Sequence, residues 1–190
     1  MAPRKADIEL TKEAIMNAAR ELFVEKGYDH VSMRSIANEL HCTHGAIYYH
    51  FQNKAELFYK IVQADFQFLD RLFEKTLQAS YASKEEALKT ILLKFIEFGL
   101  TYKNHYKLMF LTKNLELDML KEQEPNKSYE RFAQAVFQFA PDKVNPTVIW
   151  CLFLALSGFV TKYVQTDATY QDMEGLAKQY VAFLMKGFIE

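Results

Sequence analysis

Residues 15–57 read IMNAARELFVEKGYDHVSMRSIANELHCTHGAIYYHFQNKAEL, and this stretch decides the fold. Apolar residues recur in it at helical spacing in three short segments: Ile15 to Phe23, Ile36 to Leu40 and Ile47 to Phe51. Gly27 can end the first helix, while Ser32 and Thr43 can cap the second and third. Three such helices, with a tight turn between the last two, form a helix-turn-helix, which places its final helix in the major groove of DNA. The stretch therefore predicts a DNA-binding protein.

Three parts of this stretch resemble a known family. They are A-A-x-x-L-F-x-x-x-G-Y at 18–28, S-M-R-x-I-A at 32–37 and G-A-I-Y-Y-H-F-x-N-K-x-x-L at 45–57. In order, spacing and residue type they resemble the N-terminal domain of the TetR family of bacterial transcriptional repressors. The rest of the chain resembles that family only in length and helical character. One departure is His41, where the family commonly has a small residue, often Gly. If the backbone there needs a positive φ, His is among the better tolerated residues.

Composition and patterning favour an all-α protein. Half of the 190 residues are hydrophobic, with 16 Phe and 11 Tyr, so the chain can bury a large core. Helical periodicity continues to the C-terminus, with no strand-like alternation and no repeat. We expect about nine helices: a three-helix DNA-binding domain at residues 1–53 and a larger helical ligand-binding and dimerisation domain at residues 54–190.

Several features favour the cytoplasm. The first ten residues, MAPRKADIEL, contain no apolar signal segment. The longest apolar run, residues 148–164, is interrupted by Ser157, Gly158 and Thr161, so we expect no membrane span. The two cysteines, Cys42 and Cys151, do not suggest a disulfide framework.

The charge of the N-terminal region is unusual for a DNA-binding protein. The whole chain has a formal net charge of −1. Residues 1–60 contain eight Lys or Arg and eight Asp or Glu, together with four of the five histidines. Protonation or a phosphate partner can add positive charge to histidine. We expect modest electrostatic affinity for each domain, which pairing in a dimer would compensate.

The candidate DNA contacts lie at the start of the second helix, along the third and at the start of the fourth. They are Ser32, Arg34, Thr43, His44, Gly45, Ala46, Tyr48, Tyr49, His50 and Lys54. Arg34 is a candidate for a base edge or phosphate, the alternative being a solvated surface residue. The small Gly45 and Ala46 keep the third helix slim. The resemblance implies phosphate contacts for His50 and Lys54.

A metal site is the alternative use of the histidines. His41-x-x-His44 lies near Cys42 and His50, but the spacing is loose and no carboxylate completes the set. Cys42 is explained as a small buried hydrophobic residue rather than a redox switch. We therefore expect no metal and no cofactor.

The last two predicted helices, at about 146–166 and 171–189, favour a homodimer. The first of them is apolar on all sides, so another surface must cover it. Candidate interface residues are Ala155, Gly158, Tyr180, Phe183 and Leu184. The resemblance likewise implies a homodimer packed as a four-helix bundle. The alternative is a monomer with a large core.

An effector pocket in the larger domain is implied by the resemblance. The candidates for its wall are Asp65, Tyr102, Tyr106, Met109, Phe110, Trp150 and Phe153, with His105, Met119 and Phe159 as further possibilities. Aromatic residues and Met at helical spacing are also ordinary core residues. Asp65 interrupts the apolar stripe of the fourth helix, so it either meets a cationic ligand or forms a hydrogen bond at a helix junction.

The sequence as a whole favours a dimeric transcriptional repressor. It would bind double-stranded DNA at a pseudo-palindromic operator and be released by a small hydrophobic or aromatic effector that tilts the fourth helix. The alternative is a helix-turn-helix regulator controlled by a protein partner, without an effector. No Gly-rich phosphate loop, nucleophile elbow or paired carboxylate motif favours an enzyme.

Overall fold

The computed structural model describes residues 10–112 and 124–189, which form an all-α fold as predicted. The helices of this part of the chain are α1 (Lys12–Lys26), α2 (Met33–Glu39), α3 (His44–His50), α4 (Lys54–Leu77), α5 (Lys84–Thr101), α6 (Lys103–Tyr106), α7 (Glu124–Phe139), α8 (Pro146–Tyr163) and α9 (Tyr170–Ile189). A 3-10 turn at Tyr28–His30 follows α1, and a π-helical turn at Lys107–Leu111 continues α6.

The N-terminal helices begin and end at the residues that the sequence predicts. The Ser32 hydroxyl accepts a hydrogen bond from the Ser35 amide at 3.1 Å, and the Ser35 hydroxyl accepts one from the Ser32 amide at 3.0 Å. This capping box starts α2. The Thr43 hydroxyl caps α3 by accepting a bond from the Ala46 amide at 3.3 Å. Gly27 ends α1 with φ 81°, which a residue with a Cβ would adopt only with strain.

Helices α1–α3 form the part of the molecule that we call the head. Three aromatic rings pack the head against α4. Phe23, Tyr28 and Phe58 are buried, and their ring centroids lie 5.2–5.6 Å apart. Phe58 meets the other two edge to face, a geometry worth about 0.5–1.5 kcal/mol per pair beyond the burial itself. Because α4 continues into the C-terminal core, this cluster fixes the head to that core.

Helix α5 lies at the centre of the C-terminal core and packs against α4, α7, α8 and α9. It passes close to α8 at Gly99. A Cβ at this position would overlap the Val160 side chain and approach Cδ2 of Tyr106 at 3.2 Å. The glycine is thus needed for close helix packing.

A buried polar cluster joins the head to the core. The Arg20 guanidinium on α1 donates from Nη2 to Oδ1 of Asp65 on α4 at 2.6 Å, and from Nε to Oδ2 at 3.2 Å. Two residues of α6 reach the same place. Nε2 of His105 lies 3.8 Å from Oδ1 of Asp65, and the Asn104 amide donates to the Glu21 carboxylate at 2.6 Å.

Two residues mark helix boundaries in the C-terminal core. The backbone bends at Tyr102, with φ −108° and ψ 56°, and residues 103–106 then form the helical turn α6. Pro125 lies in the first turn of α7, where its missing N–H has no helical partner to lose. The candidate Met119 lies outside the described residues.

Candidate DNA-binding interface

The turn between α2 and α3 is held by backbone hydrogen bonds. The His41 amide donates to the Asn38 carbonyl at 3.1 Å, and the Cys42 amide donates to the Ala37 carbonyl at 3.0 Å. His41 has φ 49°, so the position does adopt the left-handed conformation in which the resembled family commonly has glycine. His41 tolerates this positive φ, so the turn stays tight without a glycine.

Helix α3 has one buried and one exposed face. Ile47 and the following Phe51 are buried, and they anchor the helix on the head. Tyr48 and Tyr49 are 45% and 87% exposed, so both candidates face outward. Nothing in the described chain covers this outer face, which leaves it open to a DNA groove.

Two histidine–tyrosine pairs order the exposed side chains of α3. The His44 and Tyr48 rings meet edge to face with centroids 4.7 Å apart. The Tyr49 and His50 rings do the same at 5.1 Å. These rings therefore present both hydrogen-bonding groups and flat apolar surface to a partner.

The other candidate contacts surround this face. Ser32, Arg34, Thr43, His44 and Gly45 are exposed, while Ala46, His50 and Lys54 are half-buried. With the two tyrosines, all ten candidates lie on α2, α3, the residues that cap them and the first turn of α4. Their contact with DNA stays a prediction.

Lys54 has a role that the sequence did not reveal. Its ammonium donates to the Tyr28 carbonyl at 2.8 Å and lies 4.1 Å from the centroid of the Tyr28 ring. The lysine thus ties α4 to the 3-10 turn of the head. A cation–π contact joins residues 26 positions apart in the chain, which local patterning cannot indicate.

The candidate pocket residues do not gather in one place. Asp65 is buried in the ion pair with Arg20, so it takes the alternative role of a helix junction and does not face a cationic ligand. Burial raises the pKa of the Asp65 carboxyl, while Arg20 and then His105 act in the opposite direction. Burial also lowers the pKa of His105, which the Asp65 charge opposes.

Tyr106 and Met109 are buried core residues. The Tyr106 hydroxyl lies 3.3 Å from the Ser157 carbonyl oxygen and 3.4 Å from the Thr161 hydroxyl. Desolvation raises the pKa of this phenol, and those two contacts oppose the shift. Tyr106 therefore joins α6 to α8 as well as filling the core.

A chain of aromatic rings leads from this core to the surface. Centroids of Tyr106 and Phe110 are 4.8 Å apart, those of Phe110 and Phe153 are 6.4 Å apart, and Phe153 stacks on Trp150 at 5.6 Å. Trp150 is the last ring of this row, and 46% of its surface is exposed. Four of the predicted wall residues therefore contact one another here: Tyr106, Phe110, Phe153 and Trp150.

Tyr102 lies apart from that chain, on an open cavity of about 480 Å³ beside the polar cluster of the head–core junction. Its wall also includes Glu21, Lys103 and His105. A second cavity, of about 400 Å³, lies between the head and the π-helical turn and includes His30 in its wall. The sequence predicted neither position, because each cavity is formed by segments distant in the chain.

Residues 15–61 match the family model described as bacterial regulatory proteins, tetR family. This match includes the whole helix-turn-helix and the start of α4. This N-terminal region belongs to the TetR family. TetR-family regulators are DNA-binding transcription factors rather than enzymes.

Individual relatives agree with this assignment to the TetR family. The chain is 30% identical over 99 residues to the HTH-type transcriptional regulator SAR2658 of Staphylococcus aureus, a match that covers 52% of this chain and only 53% of that protein. It is 24% identical over 200 residues to the HTH-type transcriptional regulator AcrR of Shigella flexneri, covering 97% of this chain and 92% of AcrR.

The likeness of fold extends over the whole described molecule. The transcriptional regulator FadR from Bacillus subtilis, solved in complex with stearoyl-CoA, superposes with a TM-score of 0.77 and 20% identity. That match covers 94% of this chain and all of the FadR chain. The C-terminal helices thus also have the arrangement seen in FadR.

Within the described residues, the two C-terminal helices both carry large apolar side chains that are exposed. They are Trp150 and Leu154 on α8, and Leu176 and Phe183 on α9. Leu184 is half-buried beside them, and Gly158 has no atom within 4 Å of the place where a Cβ would lie. Two other candidates, Tyr180 and Ala155, are tied to each other within the protomer, because the Tyr180 hydroxyl donates to the Ala155 carbonyl at 3.0 Å.

The apolar character of α8 is stronger than the sequence pattern suggested. By length and composition, this 18-residue helix could cross a membrane, with a mean hydropathy of 1.3, contrary to the expectation that no apolar run would suffice. The core helix of a soluble protein meets the same criterion, so the feature is weak support for a membrane span. Only 28% of the helix is buried within the chain, so part of this apolar helix is exposed.

Proposed function

We propose that this TetR-family regulator is a cytoplasmic homodimeric repressor. It binds a pseudo-palindromic operator through α3 of each protomer and is released by a small apolar or aromatic effector. The observation that carries the proposal is the outer face of α3, where Tyr49 is almost fully exposed on a helix anchored from behind by Ile47 and Phe51. We further propose the division into a DNA-binding domain at 1–53 and an effector and dimerisation domain at 54–190.

The exposed face of α3 has the size and chemistry for the major groove. A seven-residue helix with Gly45 and Ala46 in its first turn lets base edges come close, and Ala46 is placed to meet a thymine methyl. Arg34 at the start of α2 and Thr43 at the start of α3 are exposed beside it, where side chains of this kind bind phosphate. These contacts would orient the helix and leave α3 to provide specificity.

The uncovered face of α8 and α9 supports the homodimer. Large exposed apolar residues on two helices that contact each other are typical of an interface. Packing this face against a second copy would bury both faces at once in a four-helix bundle. It would also set the spacing of the two heads on DNA.

An apolar effector is supported by the aromatic chain from Tyr106 to Trp150 and by the structural neighbour FadR. Stearoyl-CoA, the ligand named for FadR, carries a long acyl chain. In this chain, an acyl or flat aromatic compound would bind along these rings and displace ring contacts between the segment that follows α6 and α8. We do not propose a cationic effector, because Asp65 is already paired with Arg20.

The rival proposal is control by a protein partner without an effector. Its support is the buried core position of Tyr106 and Met109, which the effector proposal had placed on a pocket wall. Titration of stearoyl-CoA, with Trp150 fluorescence and operator affinity measured together, separates the two. Under the effector proposal the fluorescence and the affinity change at the same ligand concentration. If a panel of acyl-CoA and flat aromatic compounds changes neither, the partner proposal is favoured.

DNA binding is tested by selecting sequences from a random pool with the purified protein and measuring affinity for the best site. We expect a two-fold symmetric site whose halves are about one helical turn apart. Tyr49→Ala should weaken binding at least about tenfold, as expected for loss of one good base-edge contact of about 1–3 kcal/mol. The matched control Phe137→Ala, which removes an exposed ring from α7, should bind like the wild type. Equal binding by Tyr49→Ala would mean that α3 is not the recognition helix.

Two glycines with open space around them allow assembly and DNA binding to be separated. Neither Gly45 on α3 nor Gly158 on α8 has an atom within 4 Å of the place where a Cβ would lie, so a side chain can leave the backbone at either position without a clash at its first carbon. We expect Gly158→Trp to shift the protein from dimer to monomer in analytical ultracentrifugation, and Gly45→Trp to stay dimeric but lose operator binding. A wild type that sediments as a monomer at micromolar concentration would refute the dimer.

A further inference from the structure

The proposed DNA contacts contain few permanent positive charges. Of the ten, only Arg34 and Lys54 are lysine or arginine, and the Lys54 ammonium is already bonded to Tyr28. On α1 of the head, Arg20 is buried in its ion pair with Asp65, whereas Lys12 and Lys26 are exposed. A protein that binds a polyanion needs positive charge where the phosphates lie. Histidine is the other side chain on this face that can provide it.

Three histidines occupy the turn and the recognition helix. His41 and His44 are exposed and His50 is half-buried, so water and DNA reach all three. Their described ring neighbours are tyrosines, Tyr48 beside His44 and Tyr49 beside His50. Neither tyrosine offers a negative charge at neutral pH that would hold a proton on the imidazole.

The charged groups on the adjoining elements do not pair with these histidines either. Helix α2, which packs against α3, carries Arg34 and Glu39, and the start of α4 carries Lys54 and Glu56. The Glu56 carboxylate accepts a hydrogen bond from the Gln52 amide at 2.7 Å. Within residues 10–112 and 124–189, the one histidine within ion-pair distance of a carboxylate is His105, in the core. In the free protein, therefore, no close carboxylate in this part of the chain favours imidazolium on the DNA-binding face.

We infer that operator binding is coupled to proton uptake by His41, His44 and His50. The inference rests on the proposed DNA interface and adds a regulatory property to it. A phosphate brought next to an imidazole favours its charged form. Protonation is therefore more favourable in the complex, and DNA binding draws protons from solution.

The coupling sets a direction for the pH dependence. A complex that holds more protons than its separate components becomes tighter as pH falls, by up to about tenfold per pH unit for each proton taken up. Histidine changes charge between about pH 8 and 6, so the effect falls in the physiological range. Acidification of the surrounding solution would strengthen operator occupancy, and alkalinisation would release the regulator without any effector.

The test measures affinity for the selected operator at pH 6.0, 7.0 and 8.0 and constant ionic strength. For the wild type we expect affinity to rise about tenfold or more from pH 8.0 to 6.0, since each of two heads takes up at least part of a proton. In a triple variant with His44→Gln, His50→Gln and His41→Asn, the rise should fall below about twofold. Asparagine is chosen for position 41 because it tolerates the positive φ there.

Two control variants separate lost affinity from lost proton coupling. Arg34→Gln removes a permanent charge, so it should weaken binding at every pH and keep the wild-type pH dependence. His30→Gln makes the same chemical change on the 3-10 turn, beside a cavity rather than on α3, and should also keep that dependence. Titration calorimetry in two buffers of different ionisation enthalpy should show net proton uptake for the wild type at pH 7 and much less for the triple variant.

The outcomes distinguish this inference from the proposed function. Specific operator binding with a flat pH profile, or a triple variant that keeps the wild-type profile, refutes the inference and leaves the DNA-binding proposal intact. Failure to bind any selected sequence at pH 6.0 and 8.0 alike refutes the proposed function and the inference with it.

Discussion

Breaking the ion pair between Arg20 and Asp65 should destabilise the protein much more than replacing the whole pair. Both side chains are nearly inaccessible, with relative exposures of 8% and 2%. The guanidinium makes two hydrogen bonds to the carboxylate and a third, from Nη1, to the Asn17 side chain at 2.6 Å. Asp65→Leu leaves this charge in the core with only an amide partner. Removal of one member of a buried pair costs about 3–5 kcal/mol.

The double variant Arg20→Met/Asp65→Leu should recover most of that loss. Burial raises the pKa of Asp65 even though Arg20 opposes the shift, so the ion pair does not fully offset the removal of the carboxylate from water. Apolar side chains of similar volume avoid this desolvation. Such replacements of buried ion pairs are neutral or stabilising by about 1–4 kcal/mol in other proteins.

Arg20→Met alone should show a pH-dependent loss. Without its partner, the buried Asp65 carboxyl can take up a proton, and its pKa should rise further above the ordinary value. A group that binds protons more tightly in the folded state stabilises the protein at low pH, and this contribution is lost as pH rises through the folded-state pKa. The variant should therefore be closer to the wild type at pH 5 than at pH 7.

The free energy of unfolding of the wild type, the two single variants and the double variant is measured by thermal and urea unfolding. Circular dichroism at 222 nm follows the transition at one fixed protein concentration. A loss of about 3–5 kcal/mol corresponds to a decrease in Tm of about 6–20 °C for a chain of this size. Wild-type operator affinity of the double variant would show that the head keeps its position. If the effects of Arg20→Met and Asp65→Leu are simply additive in the double variant, the two residues do not form the coupled pair described here.

Three other substitutions test separate parts of the structure. Since His41 has φ 49°, His41→Val should lower the free energy of unfolding by about 1–2 kcal/mol and His41→Gly should not, as urea unfolding would show. Gly99→Ala should lower it by about 1–3 kcal/mol because the new methyl overlaps Val160, and adding Val160→Ala should restore part of the loss. Phe183→Glu places a charge on the uncovered face of α9, so it should dissociate the dimer in sedimentation without changing the helical signal, a result that a monomeric wild type would contradict.

The elements that the sequence predicted are those determined by neighbours in the chain. A cap such as Ser32 acts on residues three positions away, and the buried face of α3 follows from Ile47 and Phe51 four positions apart. Roles that depend on distant residues were missed. Lys54 was expected to serve DNA alone, and its bond to Tyr28 depends on how α4 docks against the head.

The same limit explains why Asp65 had two open interpretations. A carboxylate on an apolar stripe needs a partner, but the sequence does not say which one, because Arg20 is 45 residues away. Trp150 was placed beside a pocket from its residue type. Its exposed end position in a chain of stacked rings results from the packing of α8 against α7, which no local pattern encodes.

The head–core junction connects the proposed effector site to DNA by a short path. Asn104 and His105, in the single turn of α6, contact Glu21 and the Arg20–Asp65 pair, and the next residue, Tyr106, begins the aromatic chain. A ligand that displaces Tyr106 must therefore move the turn that touches α1, or break those contacts. In the proposed dimer each head binds one half of the operator, so equal rotations of both heads change their separation by twice the displacement of one. If the effector binds the DNA-free arrangement of the heads about 1.4 kcal/mol more tightly than the DNA-bound arrangement, operator affinity changes about tenfold. Losing one charge-assisted hydrogen bond at this junction costs a free energy of about that size.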